Sequence, residues 1–346
     1  MRIMHLLLSS GFAGTERATA EMCNAHAAAH EVLLVIKRSH RARGISIRDF
    51  LQPGVTVVEV GNLWPRRAIG RAIETFRPDV VHAHLRRATR LLARLNPPCA
   101  TISTLHMWVN GPHFLQMDGL IVIAGWQKRD LVAYRGRVFD INESLLPHRR
   151  LAPPEIAKLR LELGAAPGEF LVGGVGRLAR SKGFDLLIAA YLRAGVADMR
   201  LVLIGDGRER GRLERLAAKR VRFTGFRKDV KDCYQALDLF VTPSRSEPLG
   251  RVVLEALDAG TPVLATQCEG PKEILARFPG RLVPLEDVGA LSEALVQSRA
   301  SPPARERPDL SAYYIESVAA ETLAAYEQLV ADRLAGRAPR GAAART

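Results

Sequence analysis

Short apolar runs of about six residues alternate with stretches of helical periodicity along the whole chain. RIMHLLLS comes first, then the glycine turn SGFAGT and the Ala-rich helical stretch ERATAEMCNAHAAA. EVLLVIK, VTVVEV, DVVHAH, ATISTLH and GLIVIA are further strand candidates, with helical stretches at 66–76, 86–95 and 126–134. Strands that are apolar on both faces and separated by helices predict a parallel sheet covered on both sides. The pattern breaks at PHRRLAPP (147–154), where prolines and charge mark a linker. It then resumes. PEIAKLRLELG, FDLLIAAYLRAG, RERGRLERLAAK and DVKDCYQAL read as helices, and FLVGGVG, RLVLIGDG, VRFTGF, LDLFVTPS, TPVLATQ and RLVPLE as strands. SPPARERPD (301–309) is a second linker, and YYIESVAAETLAAYEQLVADRL predicts a closing helix. A single core would be unusually large for 346 residues, so two α/β domains are expected. We place them at 1–147 and 148–305, with the closing helix within 306–333 and a disordered Ala/Gly/Arg-rich tail over 334–346.

Composition narrows the function classes. Hydrophobic residues at 47% and charged residues at 25% are those of a soluble globular protein, and no apolar run approaches the length of a membrane span. The opening MRIMHLLLSS runs directly into a glycine turn and a helix, so it reads as a first strand rather than a leader. Four cysteines without metal-ligand or redox spacing indicate reduced thiols and a cytoplasmic location. The net charge of +14 is spread over both halves: 19 Lys+Arg against 11 Asp+Glu in residues 1–147, and 31 against 25 in the remainder. Arg86, Arg87, Arg90 and Arg94 share one predicted helix, and Trp64, Arg66, Arg67 and Arg71 lie nearby in sequence. This pattern suits an anionic leaflet, such as the inner face of the cytoplasmic membrane, with the chain bound peripherally. A coding bias toward Arg explains the same surplus, and both readings stay open here. Aromatic content of 6% and the lack of a nucleic-acid-binding signature argue against a nucleic-acid partner.

The segment SRSEPLGRVVLEALDAGTPV (244–263) carries the chemistry. It follows the strand LDLFVTPS, so Glu247 stands in a turn at a strand's carboxyl end, where open α/β sheets bind ligands. Pro248 is expected at the first position of a helix whose apolar face is Val252, Val253, Ala256, Leu257 and Ala259. Glu255 then lies about two turns in, roughly 12 Å along the segment. The free N–H groups between the two acids favour phosphate. A sugar, a phosphate and a ribose fit this layout in that order. Glycosidases hold their carboxylates roughly 5–9.5 Å apart across one bond, so this wider pair disfavours hydrolysis.

The segment resembles the Glu-x7-Glu signature of retaining glycosyltransferases with the GT-B fold, family four. The wider chain is similar to bacterial transferases of lipopolysaccharide core and envelope sugars, most closely over 171–285. The resemblance implies two Rossmann-like domains facing a cleft, with the C-terminal helix returning to the N-terminal domain. It implies that Glu247 binds donor sugar hydroxyls and Glu255 the ribose, with Pro248, Leu249 and Gly250 in the donor loop. In VGGVGRLARSKGFDLLIAAY (172–191) it gives Arg177 and Lys182 to the donor diphosphate, where negative charge grows as the glycosidic bond breaks. The sequence has no Asp-x-Asp pair, so the two cations replace a divalent metal, and neither metal nor cofactor is expected. TGFRKDV (224–230) matches the loop beside the base, with backbone at Phe226 and Arg227 facing its edge. In SGFAGTERA (10–18) Gly14 and Thr15 approach the donor through backbone N–H groups. Ala13 departs from the family's double glycine there, and Glu16 holds the loop or the helix start. His106, after the strand ATISTL, faces the donor sugar or the acceptor and joins Arg177, Lys182 and Glu247 as a catalytic candidate. His82 and His84 read as structural or cleft-lining. The turn in LIGDG needs Gly205 and Gly207 only for tightness.

The implied reaction is metal-independent transfer of a hexose from a UDP- or GDP-sugar to a glycan or glycolipid acceptor, with front-face retention. Three other readings remain. A sugar-nucleotide epimerase would use a similar donor site. A dinucleotide-binding oxidoreductase would use Gly173, Gly174 and Gly176, although Ala179 stands where its third glycine belongs. A nucleic-acid binder would explain the charge.

Overall fold

The computed structural model describes residues 1–40 and 45–337. The chain divides into two units, residues 1–146 with 311–346, and residues 147–310. Of the tail expected over 334–346, residues 338–346 lie outside the described residues.

Unit 1 contains β1 (Arg2–Leu7), α1 (Gly14–Ala27), β2 (Glu31–Lys37), β3 (Val55–Val60), α2 (Pro65–Phe76), β4 (Val80–His84), α3 (Leu85–Leu95), β5 (Ala100–Leu105), β6 (Gly119–Val122) and β7 (Arg137–Asp140). Its strands run parallel in the order β3-β2-β1-β4-β5-β6-β7. The central strands are buried on both faces, as their continuous apolar runs require. The Glu16 carboxylate accepts the Ala13 N–H at 2.8 Å and so fixes where α1 begins. The helix expected over 126–134 is instead a 3₁₀ segment, Gly125–Leu131. There the Gln127 carboxamide oxygen accepts the N–H groups of Ile123 and Ala124 at 2.8 and 3.2 Å and caps the start of the segment.

Unit 2 contains α4 (Pro153–Leu163), β8 (Phe170–Val175), α5 (Phe184–Ala194), β9 (Met199–Ile204), α6 (Arg210–Leu216), β10 (Arg222–Gly225), α7 (Val230–Ala236), β11 (Leu239–Thr242), α8 (Arg251–Asp258), β12 (Val263–Thr266), α9 (Glu269–Leu275), β13 (Arg281–Val283) and α10 (Val288–Ala300). Its parallel sheet has the order β10-β9-β8-β11-β12-β13. Each unit is thus a Rossmann-like sheet whose strand order reverses once, at β1/β4 and at β8/β11.

After the linker the chain returns to unit 1 as α11 (Ile315–Leu334), which packs against α1 and β5. The helix starts later than the expected 306, because backbone bonds first pair Leu145 N with Tyr313 O at 2.7 Å and Ile315 N with Leu145 O at 3.0 Å. Arg137 pairs with Asp332 at 2.7 Å, and Arg333 with buried Asp118 at 3.0 Å. A methyl group at Gly119 would lie 2.7 Å from Leu329, so this glycine lets the helix approach the sheet. No described helix is long and apolar enough to cross a membrane.

Candidate active site

The loops after β8 and β11 leave the carboxyl ends of the two strands where the unit 2 order reverses. Such loops diverge and open a crevice for ligand. Here they are tied together at their base. Gly183 has φ +64°, and a Cβ on it would lie 1.9 Å from the Pro243 carbonyl oxygen. Only glycine lets this turn press against the β11 loop. Arg245 N–H donates to Ser181 O at 2.8 Å. The Arg245 guanidinium grips both oxygens of Asp185 at 2.7 and 3.0 Å and reaches Glu286 at 2.6 Å. Burial raises the Asp185 pKa, but the Arg245 bonds outweigh it and hold the carboxyl below its ordinary value. Within this frame the Lys182 ammonium meets the Glu247 carboxylate. The expected diphosphate cation and the expected sugar-binding acid are therefore neighbours.

The Glu247 backbone is held as well. Its carbonyl accepts Gly270 N–H at 2.9 Å. A Cβ on Gly270 would lie 2.1 Å from Leu249 O, so the start of α9 closes tightly on Pro248 and Leu249. Gly250 adopts φ +92° and caps α8. This corrects the expected helix start: Pro248 lies in the loop, three residues before the first helical residue. Glu255 is accordingly about one turn into α8, not two. It is buried, and it accepts from Tyr234 Oη–H at 2.9 Å and Arg251 Nε–H at 3.3 Å. Arg177 is exposed, and its guanidinium makes no hydrogen bond or ion pair among the described residues. Phe226 is exposed beyond β10, while the Arg227 guanidinium is taken by Asp229 at 2.9 Å and Glu162 at 3.3 Å. Gly205 N–H bonds Gly225 O at 2.9 Å, and a Cβ on Gly205 would lie 1.9 Å from Gly176 O. That pair of contacts stacks the turns after β8, β9 and β10. Gly173 and Gly174 sit inside β8, and the spaces their missing Cβ atoms leave are filled by Leu237, Phe184 and Leu203. They serve core packing, which removes the basis of the dinucleotide fingerprint.

In unit 1, Gly14 and Thr15 open α1 after β1, and a Cβ on Gly14 would meet nothing within 4 Å. His106 follows β5, but its ring turns inward. His106 Nε2 lies 3.3 Å from His84 Nδ1, and Nδ1 lies 3.6 Å from Glu143 Oε1. His5, His82 and His84 bring ligand atoms within 4.8 Å of one another. Their nitrogens are largely engaged already. His82 bonds Tyr326 Oη and Thr104 Oγ1 at 2.7 Å each, and His84 bonds His5 at 3.0 Å as well as His106. A cation would have to break this set. Burial holds His5 down at about 3 and His84 and His82 well below the usual value, so all three are neutral at pH 7. The four cysteines are free, and burial pushes Cys99 and Cys268 up to about 11 and Cys233 up to about 12. None is a thiolate nucleophile at neutral pH.

The profile of the family described as "Glycosyl transferases group 1" matches residues 169–299, which hold both loops of the unit 2 site. The lipopolysaccharide core biosynthesis glycosyltransferase LpsD of Rhizobium meliloti (strain 1021) is 30% identical over 335 residues, covering 89% of this chain and 90% of LpsD. This chain is a group 1 glycosyltransferase. Among solved structures, Anabaena Alr3699/HepE in complex with UDP and glucose aligns with a TM-score of 0.77 at 20% identity, over 97% of this chain and all of that one. WaaG, a glycosyltransferase involved in lipopolysaccharide biosynthesis, aligns with a TM-score of 0.69 at 18% identity, over 97% and 98%. These two give the GT-B fold. The epimerase, oxidoreductase and nucleic-acid readings are not favoured.

Of the glycosyltransferase's expected site residues, the structure brings Lys182 and Glu247 into contact and sets Pro248, Leu249 and Gly250 in the same loop. Glu255 is a neighbour along α8, Arg177 stands free after β8, and Phe226 and Arg227 follow β10. Sequence reasoning missed Tyr234 and Arg251 as the groups that hold Glu255. Arg251 was within reach of it, since i,i+4 places an Arg and a Glu on one helix face. No signal marked Tyr234, which comes from another helix. Glu143 was also missed, and nothing in the short strand-poor stretch around it pointed to His106.

Proposed function

We propose that this glycosyltransferase moves a hexose from a UDP- or GDP-sugar to a glycan or glycolipid acceptor of the cell envelope, in lipopolysaccharide core synthesis, with retention and without a metal. The observation that carries the donor reading is the Lys182–Glu247 contact at the strand-order reversal. Lys182 and Arg177 would take the diphosphate charge that grows in the transition state. Glu247 would exchange its lysine partner for donor sugar hydroxyls, and Glu255, preset by Tyr234 and Arg251, would accept from the ribose. A phosphate oxygen of the departing diphosphate would take the acceptor proton on the same face. LpsD and WaaG, both lipopolysaccharide proteins by name, support the acceptor class, and the UDP and glucose in HepE support the donor class.

The surface of unit 1 supports a cytoplasmic chain bound peripherally to an anionic membrane. Leu63 and Trp64 are 84% and 69% exposed at the start of α2. Arg66, Arg67 and Arg71 on that helix are exposed and make no ion pair among the described residues, although Arg67 lies 4.8 Å over the Trp64 ring. Aromatic and basic side chains together suit a lipid headgroup layer.

Thermal shift with UDP, GDP and their sugar conjugates in EDTA tests the donor site. A saturating ligand adds a few kcal/mol of apparent stability. We expect one nucleotide family to raise the midpoint, a smaller rise in Glu255→Ala, and an α-product from an α-donor by NMR. No rise with any nucleotide, or an inverted anomeric centre, rejects the reading. Flotation with anionic vesicles, reduced in Trp64→Ala/Arg67→Ala, checks the membrane surface.

A further inference from the structure

Three hydrogen-bonded histidine rings inside unit 1 end beside a carboxylate. His5 Nδ1 lies 3.0 Å from His84 Nε2, His84 Nδ1 lies 3.3 Å from His106 Nε2, and His106 Nδ1 lies 3.6 Å from Glu143 Oε1. His5 and His84 are fully buried, and the side chains of His106 and Glu143 are only 7% and 12% exposed. His82 stands outside the chain, since hydroxyls of Tyr326 and Thr104 occupy both its nitrogens.

A neutral imidazole donates from one nitrogen and accepts at the other. A chain of such rings therefore has two self-consistent patterns. In one, every ring carries its proton on Nδ1. His5 then donates to His84 and His84 to His106, and the Nδ1–H of His106 faces the Glu143 carboxylate 3.6 Å away, a favourable charge–dipole contact rather than a hydrogen bond. In the other, every proton sits on Nε2 and the direction reverses. The bare Nδ1 of His106 would then face the carboxylate, lone pair against negative charge. The Nε2–H of His5 would point into a position where no acceptor lies among the described residues. A buried N–H without an acceptor is the costlier orphan. The first pattern leaves a bare lone pair at His5 Nε2 and, at His106, an N–H that lacks a hydrogen bond among the described residues but faces the Glu143 negative charge at 3.6 Å.

We propose that Glu143 is a positioning residue that sets the tautomers of His106, His84 and His5, holding all three as Nδ1–H. The ring of His106 is thereby fixed at the carboxyl end of β5. Its backbone is fixed from the other side, because the Gln127 carboxamide donates to Leu105 O at 2.6 Å and to Met107 O at 3.0 Å. Both devices act on the first residue of a loop whose next side chains, Met107 and Trp108, are exposed. The catalytic consequence rests on the reading of His106 as part of the transfer site. The tautomer assignment does not.

Nitrogen-15 NMR of the full chain with labelled histidine, at pH 7, tests the assignment, with resonances identified by single His→Gln variants. We expect His5, His84 and His106 each to show a protonated Nδ1 and a bare Nε2, against the ordinary preference of imidazole for Nε2–H. In Glu143→Leu, His106 should shift toward Nε2–H, and kcat should fall at least tenfold with the donor KM unchanged. Nε2–H on His106 in the unsubstituted protein overturns the proposal, and this spectrum decides even if the variant fails to fold. Nδ1–H retained in a folded Glu143→Leu removes Glu143 from the role. Nδ1–H rings in a protein that transfers no sugar would uphold the tautomers and sink the transferase role of His106 instead.

Discussion

Glu247 and Lys182 show how two residues divide one task. Each neutralises the other, and both are largely withdrawn from water. Removing either leaves a partly buried charge, but the effects on ligand should differ in kind. Lys182→Ala should weaken UDP or GDP binding by roughly 10- to 100-fold, since a hydrogen bond to a charged group contributes about 1.5–3 kcal/mol. Glu247→Gln should leave nucleotide affinity equal or tighter, because it frees Lys182, while transfer collapses for want of the sugar contact. Isothermal titration with nucleotide alongside turnover separates the two, and equal losses of nucleotide affinity would refute the division. The pairing itself was not legible in the sequence. Each motif identified its own residue, yet the partners are 65 positions apart, and the Gly183 turn against Pro243 and the Arg245 bonds to Ser181 and Asp185 bring them together. The sequence singled out Glu255, whereas its burial between Tyr234 and Arg251 was not legible, because no periodicity reports which helix packs on which.

At the scale of strand, turn and helix, two glycines that look alike in sequence do opposite work. Each lies in a turn between a strand and a helix at the ligand end of a sheet. Gly183 is left-handed and in backbone contact with Pro243, so Gly183→Ala combines about 1–2 kcal/mol of conformational cost with a steric clash. Gly14 opens α1 at a negative φ with open space around it. Gly14→Ala should therefore keep or raise stability, by up to about 1 kcal/mol. If Gly14 serves donor approach, the same variant should lose donor affinity. Urea unfolding together with nucleotide titration distinguishes the two positions, and a destabilised Gly14→Ala would contradict the geometry. Strands of four to seven apolar residues were legible because both faces are buried. The start of α8 was not, since Pro248 satisfied the rule for a first helical residue while Gly250, two residues on, turned the backbone left-handed and delayed the helix. The helix expected over 126–134 is instead the 3₁₀ segment Gly125–Leu131, a tighter winding that the same apolar spacing does not distinguish.

Across the whole molecule the histidines are distributed unevenly, and this sets an acid response. Eight of the nine lie in unit 1, and His5, His26, His82 and His84 are buried there. Burial lowers His5 to about 3 and His26 to about 4, and takes His82 and His84 well below their ordinary value. The unfolded chain takes up protons at these sites near pH 6.5, while the folded unit refuses them until far lower pH. Stability is therefore complete above about pH 6.5 and falls as the pH drops toward the folded values. Each fully buried ring removes up to about 2 kcal/mol between pH 6.5 and 5. The paired acids behave otherwise. Asp185, Asp198 and Asp229 of unit 2 are held below their ordinary value by arginine partners, so their contribution is intact above about pH 4 and does not change over this window. Unit 2 contains one histidine, His148. Hydrogen exchange followed by mass spectrometry at pH 7 and pH 5, corrected for intrinsic rates, should show β1 and β4 losing protection while β8 and β9 keep theirs. Equal loss in both sheets would mean that the buried rings are not the source. The apolar strands RIMHLL and VVHAH place three neutral imidazoles, His5, His82 and His84, within the sheet and His26 lies on the neighbouring α1; the sequence marked His82 and His84 as structural or cleft-lining, but nothing in it showed that the rings meet.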